Sequence, residues 1–134
     1  MLGKQIGESK GRRLYRRVLE TSAAGFKVEV SFESQGKILG VDSMEVGTYA
    51  SEMRPDGTLI GEGQGVLLTK HGTVTWKGHG TGTVDAKGNA SYRGSLLFNT
   101  SSEKFAKQLH GCAGVFEFSA DADGNTQAKL WEWK

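Results

Sequence analysis

Apolar and polar residues alternate along the segment that begins at Phe26. One side carries Phe26, Val28, Val30 and Phe32, and the other carries Lys27, Glu29, Ser31 and Glu33. A period of two is typical of a strand with one buried face. We therefore predict a half-buried strand that breaks at residues 34–36. Further strand follows over residues 37–53, up to the turn signal Arg54-Pro55-Asp56-Gly57.

Three more strands are predicted over residues 59–69, 73–85 and 89–100, and their short connections indicate an antiparallel meander. A two-residue turn at His71-Gly72 would pair Gly61 with Gly82 and Gly63 with Gly80. In that register the glycines share a face with apolar residues, which we place toward the interior. The polar face then holds Glu62, Gln64, Lys77, His79 and Arg93.

One helix and a closing hairpin are predicted after residue 100. Thr100-Ser101-Ser102-Glu103 has the spacing of a capping box, so we expect a helix of about ten residues that stops at Gly111. A two-residue turn at Asp123-Gly124 would pair Phe116 with Trp131 and Gly114 with Trp133. This hairpin is expected to supply core aromatics.

These elements predict an all-β fold, an antiparallel up-and-down β-barrel of seven or eight strands with one short helix before the last hairpin. Residues 11–20 fit a helix or a strand, and the surrounding meander favours a strand. The 134 residues are interpreted as a single domain, residues 1–134. The chain has 20 glycines, where average usage gives about nine, and glycine within strands permits strong curvature and leaves interior volume.

The net charge and the cysteine and histidine content bear on which partners, metals and cellular location the sequence favours. A net charge of +2 is too balanced to favour nucleic acid or an anionic membrane. The three histidines and one cysteine show no zinc spacing, and no metal or other cofactor is predicted. The lone cysteine and the absence of an apolar leader or membrane-length segment favour a cytoplasmic location.

The glycine face suggests a lumen that could hold a small apolar or aromatic ligand. The candidate ligand-binding residues are Trp76, Tyr92, Leu96, Phe98, Phe116 and Trp131. The alternative is that the glycines only permit curvature and that the aromatic side chains fill the interior.

The evidence for catalytic roles of polar residues is weaker than the evidence for an apolar lumen. Glu62 and His79 could act as general acid or base, but the predicted register turns them toward solvent, so the catalytic residues stay unassigned. Cys112, two residues after His110, is better explained as a small buried thiol. Four arginines surround Tyr15, and ordinary acidic partners for them are available on the strands: Glu29, Glu33, Glu45 and Glu52.

The paired glycine segments Gly61-Glu62-Gly63-Gln64-Gly65 and Gly78-His79-Gly80-Thr81-Gly82, with the closing Leu130-Trp131-Glu132-Trp133, resemble small bacterial barrels related in shape to lipocalins and allene oxide cyclase. The resemblance implies an interior that binds a small hydrophobic molecule and proteins that self-associate into homo-oligomers. We therefore expect a non-enzymatic binding barrel. The alternatives are an isomerase or cyclase acting on a small hydrophobic substrate and a self-associating structural protein.

Overall fold

The computed structural model describes residues 2–134, which form eight strands and one helix. The elements in chain order are β1 (Leu2–Ser22), β2 (Gly25–Ile38), β3 (Val41–Met53), β4 (Thr58–Thr69), β5 (Gly72–Val84), β6 (Ala90–Thr100), α1 (Glu103–Leu109), β7 (Ala113–Ala120) and β8 (Asn125–Trp133). Each strand pairs antiparallel with the next, and β8 pairs with β1, so the sheet closes into a barrel. The predicted up-and-down barrel and its helix before the last hairpin are confirmed.

Residues 11–20 lie within β1, as the strand interpretation predicted. Only the first part of β1 belongs to the closed wall, because its pairing with β8 ends at Arg12 opposite Asn125. From Leu14 to Ser22, β1 has a single neighbour in the described chain, the beginning of β2. We call this segment, residues 14–22, the β1 arm.

The break predicted at residues 34–36 is wrong, because β2 continues through Gly36 to Ile38. The chain turns instead at Leu39-Gly40, where φ is +49° at Leu39 and +79° at Gly40. Positive φ at both central residues is the requirement of the hairpin turn whose twist matches antiparallel strands. This turn sets the pairing of β2 with β3 and places Ser34 opposite Glu45.

The hairpin of β4 and β5 has the predicted faces but not the predicted register. Gly61 pairs with Gly80 and Gly63 with Gly78, because the two turn residues are Lys70 and His71 and Thr69 faces Gly72. The register therefore differs by two residues from the prediction. A shift of two leaves every side chain on its own face, since successive residues alternate.

The register of the last hairpin differs by one residue, which changes the faces. Phe116 lies opposite Leu130, and Trp131 lies opposite Val115. The turn is longer than two residues, since the Asp121 N–H donates to the Asn125 carbonyl at 2.9 Å and Gly124 within it has φ of +90°. The prediction that Trp131 and Trp133 pack over Phe116 and Gly114 is therefore wrong.

Helix α1 closes one end of the barrel. Its side chains Phe105 and Leu109 are buried in a cluster with residues from the strand ends at this side: Ile6, Ile38, Val41, Leu67 and Val74. The helix has seven residues and begins after Ser102, whereas the predicted box placed the cap at Thr100. Thr100 instead donates its hydroxyl to the Thr73 carbonyl at 2.7 Å and accepts the Ser102 N–H.

Among residues 2–134, no helix has the length and apolar character needed to cross a membrane.

Candidate functional site

The barrel interior contains a cavity of about 120 Å³ with an almost entirely apolar wall. It lies between the cluster at the helix end and the aromatic rings nearer the other end. Its aromatic and aliphatic wall is formed by Phe32, Ile38, Tyr49, Leu67, Trp76, Tyr92, Leu96, Phe98, Phe116, Phe118 and Leu130. A cavity of about 150 Å³ with a comparable apolar lining binds benzene, so this lumen has the scale of a single aromatic ring.

Strand glycines make room for the large side chains of the lumen. The Trp76 indole lies over Gly65, where an added Cβ would be only 2.6 Å from the ring, and it also approaches Gly47. Phe98 covers Gly114 in the same manner. Aromatic rings therefore cover several of the strand glycines, and a volume of about 120 Å³ is left beside them.

A carboxylate lies inside this apolar wall. Glu45, on β3, accepts a 2.8 Å hydrogen bond from the Trp76 indole N–H and another of 2.8 Å from the Ser34 hydroxyl. Burial raises the pKa of Glu45, and the hydrogen bonds from Ser34 and Trp76 partly offset that rise. Burying a carboxylate charge is energetically unfavourable unless a counter-charge or hydrogen bonds compensate it. Carboxylates in such surroundings are often functional, so Glu45 is a candidate functional group.

Glu45 belongs to a polar patch on three adjacent strands, formed by Ser9, Ser34, Ser43 and Glu45. Strand pairing makes these residues neighbours, since Ser34 lies opposite Glu45 and Ser43 lies opposite Gly36, which in turn lies opposite Ser9. The remaining wall, on β6 to β8, presents carbon from Leu96, Phe98, Phe116 and Leu130. The few inward polar side chains of this region therefore lie on β1 to β3, and β6 to β8 present carbon.

Four aromatic rings lie toward the end of the barrel away from α1. Phe32, Tyr49, Tyr92 and Phe118 pack with centroid separations of 5.3 to 6.2 Å. The Tyr92 hydroxyl shares a 2.7 Å hydrogen bond with Ser51, and burial is the main cause that raises the pKa values of Tyr49 and Tyr92. Both phenols are thus neutral hydrogen-bonding groups at ordinary pH.

Five of the six predicted ligand-binding residues line the cavity: Trp76, Tyr92, Leu96, Phe98 and Phe116. Trp131 does not, because it lies opposite Val115 on the outer face of β8. The assumed two-residue turn caused this difference. That the five residues bind a ligand stays a prediction.

Glu62 and His79 lie opposite each other on the outer face, as the predicted sidedness required. The Glu62 side chain is 66% exposed and the His79 side chain is 80% exposed, and the Glu62 Oε2 and His79 Nδ1 atoms are 3.8 Å apart. Both residues border the cavity through their backbone, since their glycine neighbours face inward. Neither side chain can transfer a proton inside the lumen.

Cys112 is half-buried, and burial and the Glu132 carboxylate raise its pKa, which favours the neutral thiol. The His110 imidazole contacts the Thr100 carbonyl at 3.0 Å.

Sequence reasoning placed Glu45 among the surface partners of the arginines, and this placement is wrong. Arg17 forms its ion pair with Glu29 at 3.3 Å, while Glu45 faces the lumen. The signal that could have found it is the turn at Leu39-Gly40. Counting back from that turn pairs Glu45 with Ser34, two residues from the inward-facing Phe32.

Comparison with solved structures shows the same barrel in proteins of low sequence identity. A conserved protein of unknown function from Rhodopseudomonas palustris matches with a TM-score of 0.78 and 15% identity, over 99% of both chains. A protein with unknown function from Clostridium acetobutylicum ATCC 824 has a TM-score of 0.83 and 12% identity, over 98% of both chains. A β-barrel like protein from Acinetobacter baumannii AYE has a TM-score of 0.81 and 14% identity, over 98% of this chain and 94% of that one.

No protein-family model and no curated protein matches the sequence. At these identities the structural matches show a shared fold and no more. The resemblance to barrels of lipocalin and allene oxide cyclase shape therefore holds as architecture, an eight-stranded closed barrel.

Proposed function

We propose that this protein is a non-enzymatic binding barrel whose lumen takes up one small apolar or aromatic molecule. The observation that carries the proposal is the apolar cavity of about 120 Å³ inside a closed barrel. Proteins pack their interiors to the density of organic crystals, so an apolar volume of this size inside a core is costly to maintain. Binding a molecule there returns the lost contacts.

The size of the cavity limits the ligand to roughly one ring, since a cavity of about 150 Å³ binds benzene. A long-chain fatty acid exceeds this volume. The four-ring cluster of Phe32, Tyr49, Tyr92 and Phe118 would have to move to admit a larger molecule.

Titration with toluene, followed by NMR chemical shifts of lumen methyl groups, tests the proposal. We expect saturable shifts at Leu96 and Leu130, which line the cavity. Ala128→Leu adds bulk to a wall residue and is expected to weaken toluene binding at least ten-fold. The matched control is Gln127→Leu, the same apolar gain at the exposed neighbouring position.

Two results would remove the binding proposal. One is the absence of any saturable shift in the wild-type protein at the solubility limit of toluene. The other is equal weakening by Ala128→Leu and Gln127→Leu, which would place the bound toluene on the surface.

A second candidate function is self-association through the β1 arm. Within the described chain, the outer edge of residues 14–22 has no strand beside it. Leu14, Val18 and Leu19 on this segment are exposed, with Val18 at 64%. An unpaired strand edge with exposed apolar side chains is a template for pairing with another chain.

A second copy of the same chain fits this edge. The β1 arm is basic at Arg16 and acidic at Glu20. Antiparallel pairing of two copies places the basic half of each arm beside the acidic half of the other.

Light scattering at increasing concentration tests this candidate. We expect a dimer that Val18→Lys weakens, while Leu97→Lys, at a residue 67% exposed on β6, leaves it unchanged. A monomer at millimolar concentration would exclude self-association by the β1 arm.

A further inference from the structure

The polar patch gives the proposed binding function a chemical preference, and the inference that follows rests on that function. Within the described chain, Glu45 is the one carboxylate that lines the cavity and forms hydrogen bonds to side chains of the barrel interior. Its two hydrogen bonds come from neutral donors, a hydroxyl and an indole N–H. No ion pair to Glu45 is formed within residues 2–134.

The carboxylate has room for another donor. An ionised carboxylate offers about four lone-pair sites, and Ser34 and Trp76 occupy one on each oxygen. A buried charge without a counter-charge is unfavourable, and an ammonium group supplies the counter-charge that a hydroxyl lacks. A ligand that brings its own positive charge therefore gains more at this position than one that brings a hydroxyl.

The surrounding wall suits the rest of such a ligand. The Trp76 indole meets the carboxylate through its N–H, so an aromatic side chain of the wall lies directly beside the charge. Phe98 and Phe116 supply an apolar surface across the cavity for a ring. The volume of about 120 Å³ is on the scale of a single ring, so any substituent on the ring has to be short.

We propose that the lumen selects small amines that carry a single aromatic ring on an sp³ carbon, such as benzylamine, in their protonated form. The ammonium group donates to the Glu45 carboxylate, and the ring packs against the apolar wall of β6 to β8. Ser34 and Trp76 act as positioning residues, because their hydrogen bonds fix the direction of the carboxylate.

Three probes of nearly equal shape test this proposal: toluene, benzyl alcohol and benzylamine, titrated at neutral pH by calorimetry. We expect benzylamine to bind at least ten-fold more tightly than toluene, with benzyl alcohol between them. Glu45→Gln should bring the benzylamine affinity down to the toluene affinity of the same variant. Because both affinities are measured on that variant, a general loss of the lumen would lower both and is distinguished from a loss of the amine preference. The matched control, Glu62→Gln on the outer face, should keep the full preference.

The outcomes separate this inference from the binding function. If toluene binds as tightly as benzylamine, or if Glu45→Gln leaves the preference intact, the amine preference is wrong and the binding function stands. If benzyl alcohol matches benzylamine, Glu45 recognises a neutral donor and the positive charge is not selected. If none of the three binds, the proposed function itself fails.

Lowering the pH provides an independent readout. Protonation of Glu45 removes the counter-charge, so benzylamine affinity should fall as the pH decreases while toluene affinity stays constant. A benzylamine affinity that does not change with pH would contradict the ion pair.

Discussion

At the residue scale, Glu45 makes stability depend on pH in an unusual direction for a carboxylate. Burial raises its pKa in the folded protein above the unfolded value, so the folded state holds the proton more tightly. The stabilisation from this group is complete below the unfolded pKa and is lost as the pH rises through the folded pKa.

We therefore predict that Glu45→Gln removes a pH-dependent loss of stability. The free energy of unfolding of the wild-type protein, minus that of the variant, should decrease as the pH rises from about 4 toward 8. Urea unfolding at several pH values measures this difference, with Glu62→Gln as the control at an exposed carboxylate. A difference that grows with pH would contradict the burial of a charged Glu45.

The contact between Gly65 and Trp76 gives a second residue-scale prediction. A Cβ at residue 65 would lie 2.6 Å from the indole, so Gly65→Ala must displace the ring from Glu45. We expect a loss of about 1 to 3 kcal/mol, the range for overpacking, measured by urea unfolding. Tryptophan fluorescence should change as the indole moves.

Gly7→Ala is the control for this substitution. An added Cβ there has its nearest neighbour at 3.3 Å, and alanine restricts the unfolded chain, so a smaller loss is expected. Equal losses for the two variants would show that the indole contact does not explain the glycine at position 65.

The sequence pattern predicts which residues alternate but not every residue that faces inward. Trp76, Tyr92, Leu96 and Phe98 were predicted because they share a face with the glycines of β4 and β5, whereas Phe116 was predicted from the closing hairpin. Glu45 was missed because the inward positions of β3 include Ser43 and Glu45, which blur the apolar pattern of that strand. A polar group placed inside a core breaks the rule by which cores are recognised.

At the element scale, the length of each hairpin turn determined whether the predicted inward and outward faces of its strands were right. The turn between β4 and β5 has two residues, so their faces were predicted despite a register difference of two. The longer turn between β7 and β8 shifted the register by one and moved Trp131 to the outer face. Turn length depends on local hydrogen bonds, such as those of Asp121, that a hydrophobic pattern does not contain.

Helix α1 is expected to stabilise the fold because its apolar side chains are buried at one end of the barrel. The Phe105 side chain is fully buried against the strand-end cluster. Phe105→Ala should lower the free energy of unfolding by about 3 to 5 kcal/mol, the cost of truncating a buried aromatic residue. Chemical denaturation measures this loss.

Lys104→Ala, at the exposed preceding position, should change stability by no more than about 0.5 kcal/mol. A comparable effect at the two positions would mean that helix propensity, and not the packing of Phe105, stabilises the end of the barrel.

At the scale of the whole molecule, the strand segments differ in how many neighbours they pair with. β5 has a hydrogen-bonded neighbour on each side, whereas the β1 arm has one. We predict that amides of residues 14–22 exchange with deuterium at least about ten-fold faster than those of β5, since segments with few buried contacts open locally at low cost.

The concentration dependence of this exchange is also informative. If two copies pair through the β1 arm, its protection should increase with protein concentration while that of β5 stays constant. Uniform protection along the barrel at low concentration would contradict the local opening of the arm.

The unlike sides of the lumen have a stereochemical consequence. Consider a chiral ligand whose polar group binds β3 and whose ring packs against β6 to β8. These two contacts fix the orientation of the ligand. The remaining substituent at its stereocentre then contacts a different strand in each enantiomer. We therefore expect the barrel to distinguish mirror-image guests, which unequal calorimetric affinities for the two forms of 1-phenylethylamine would show.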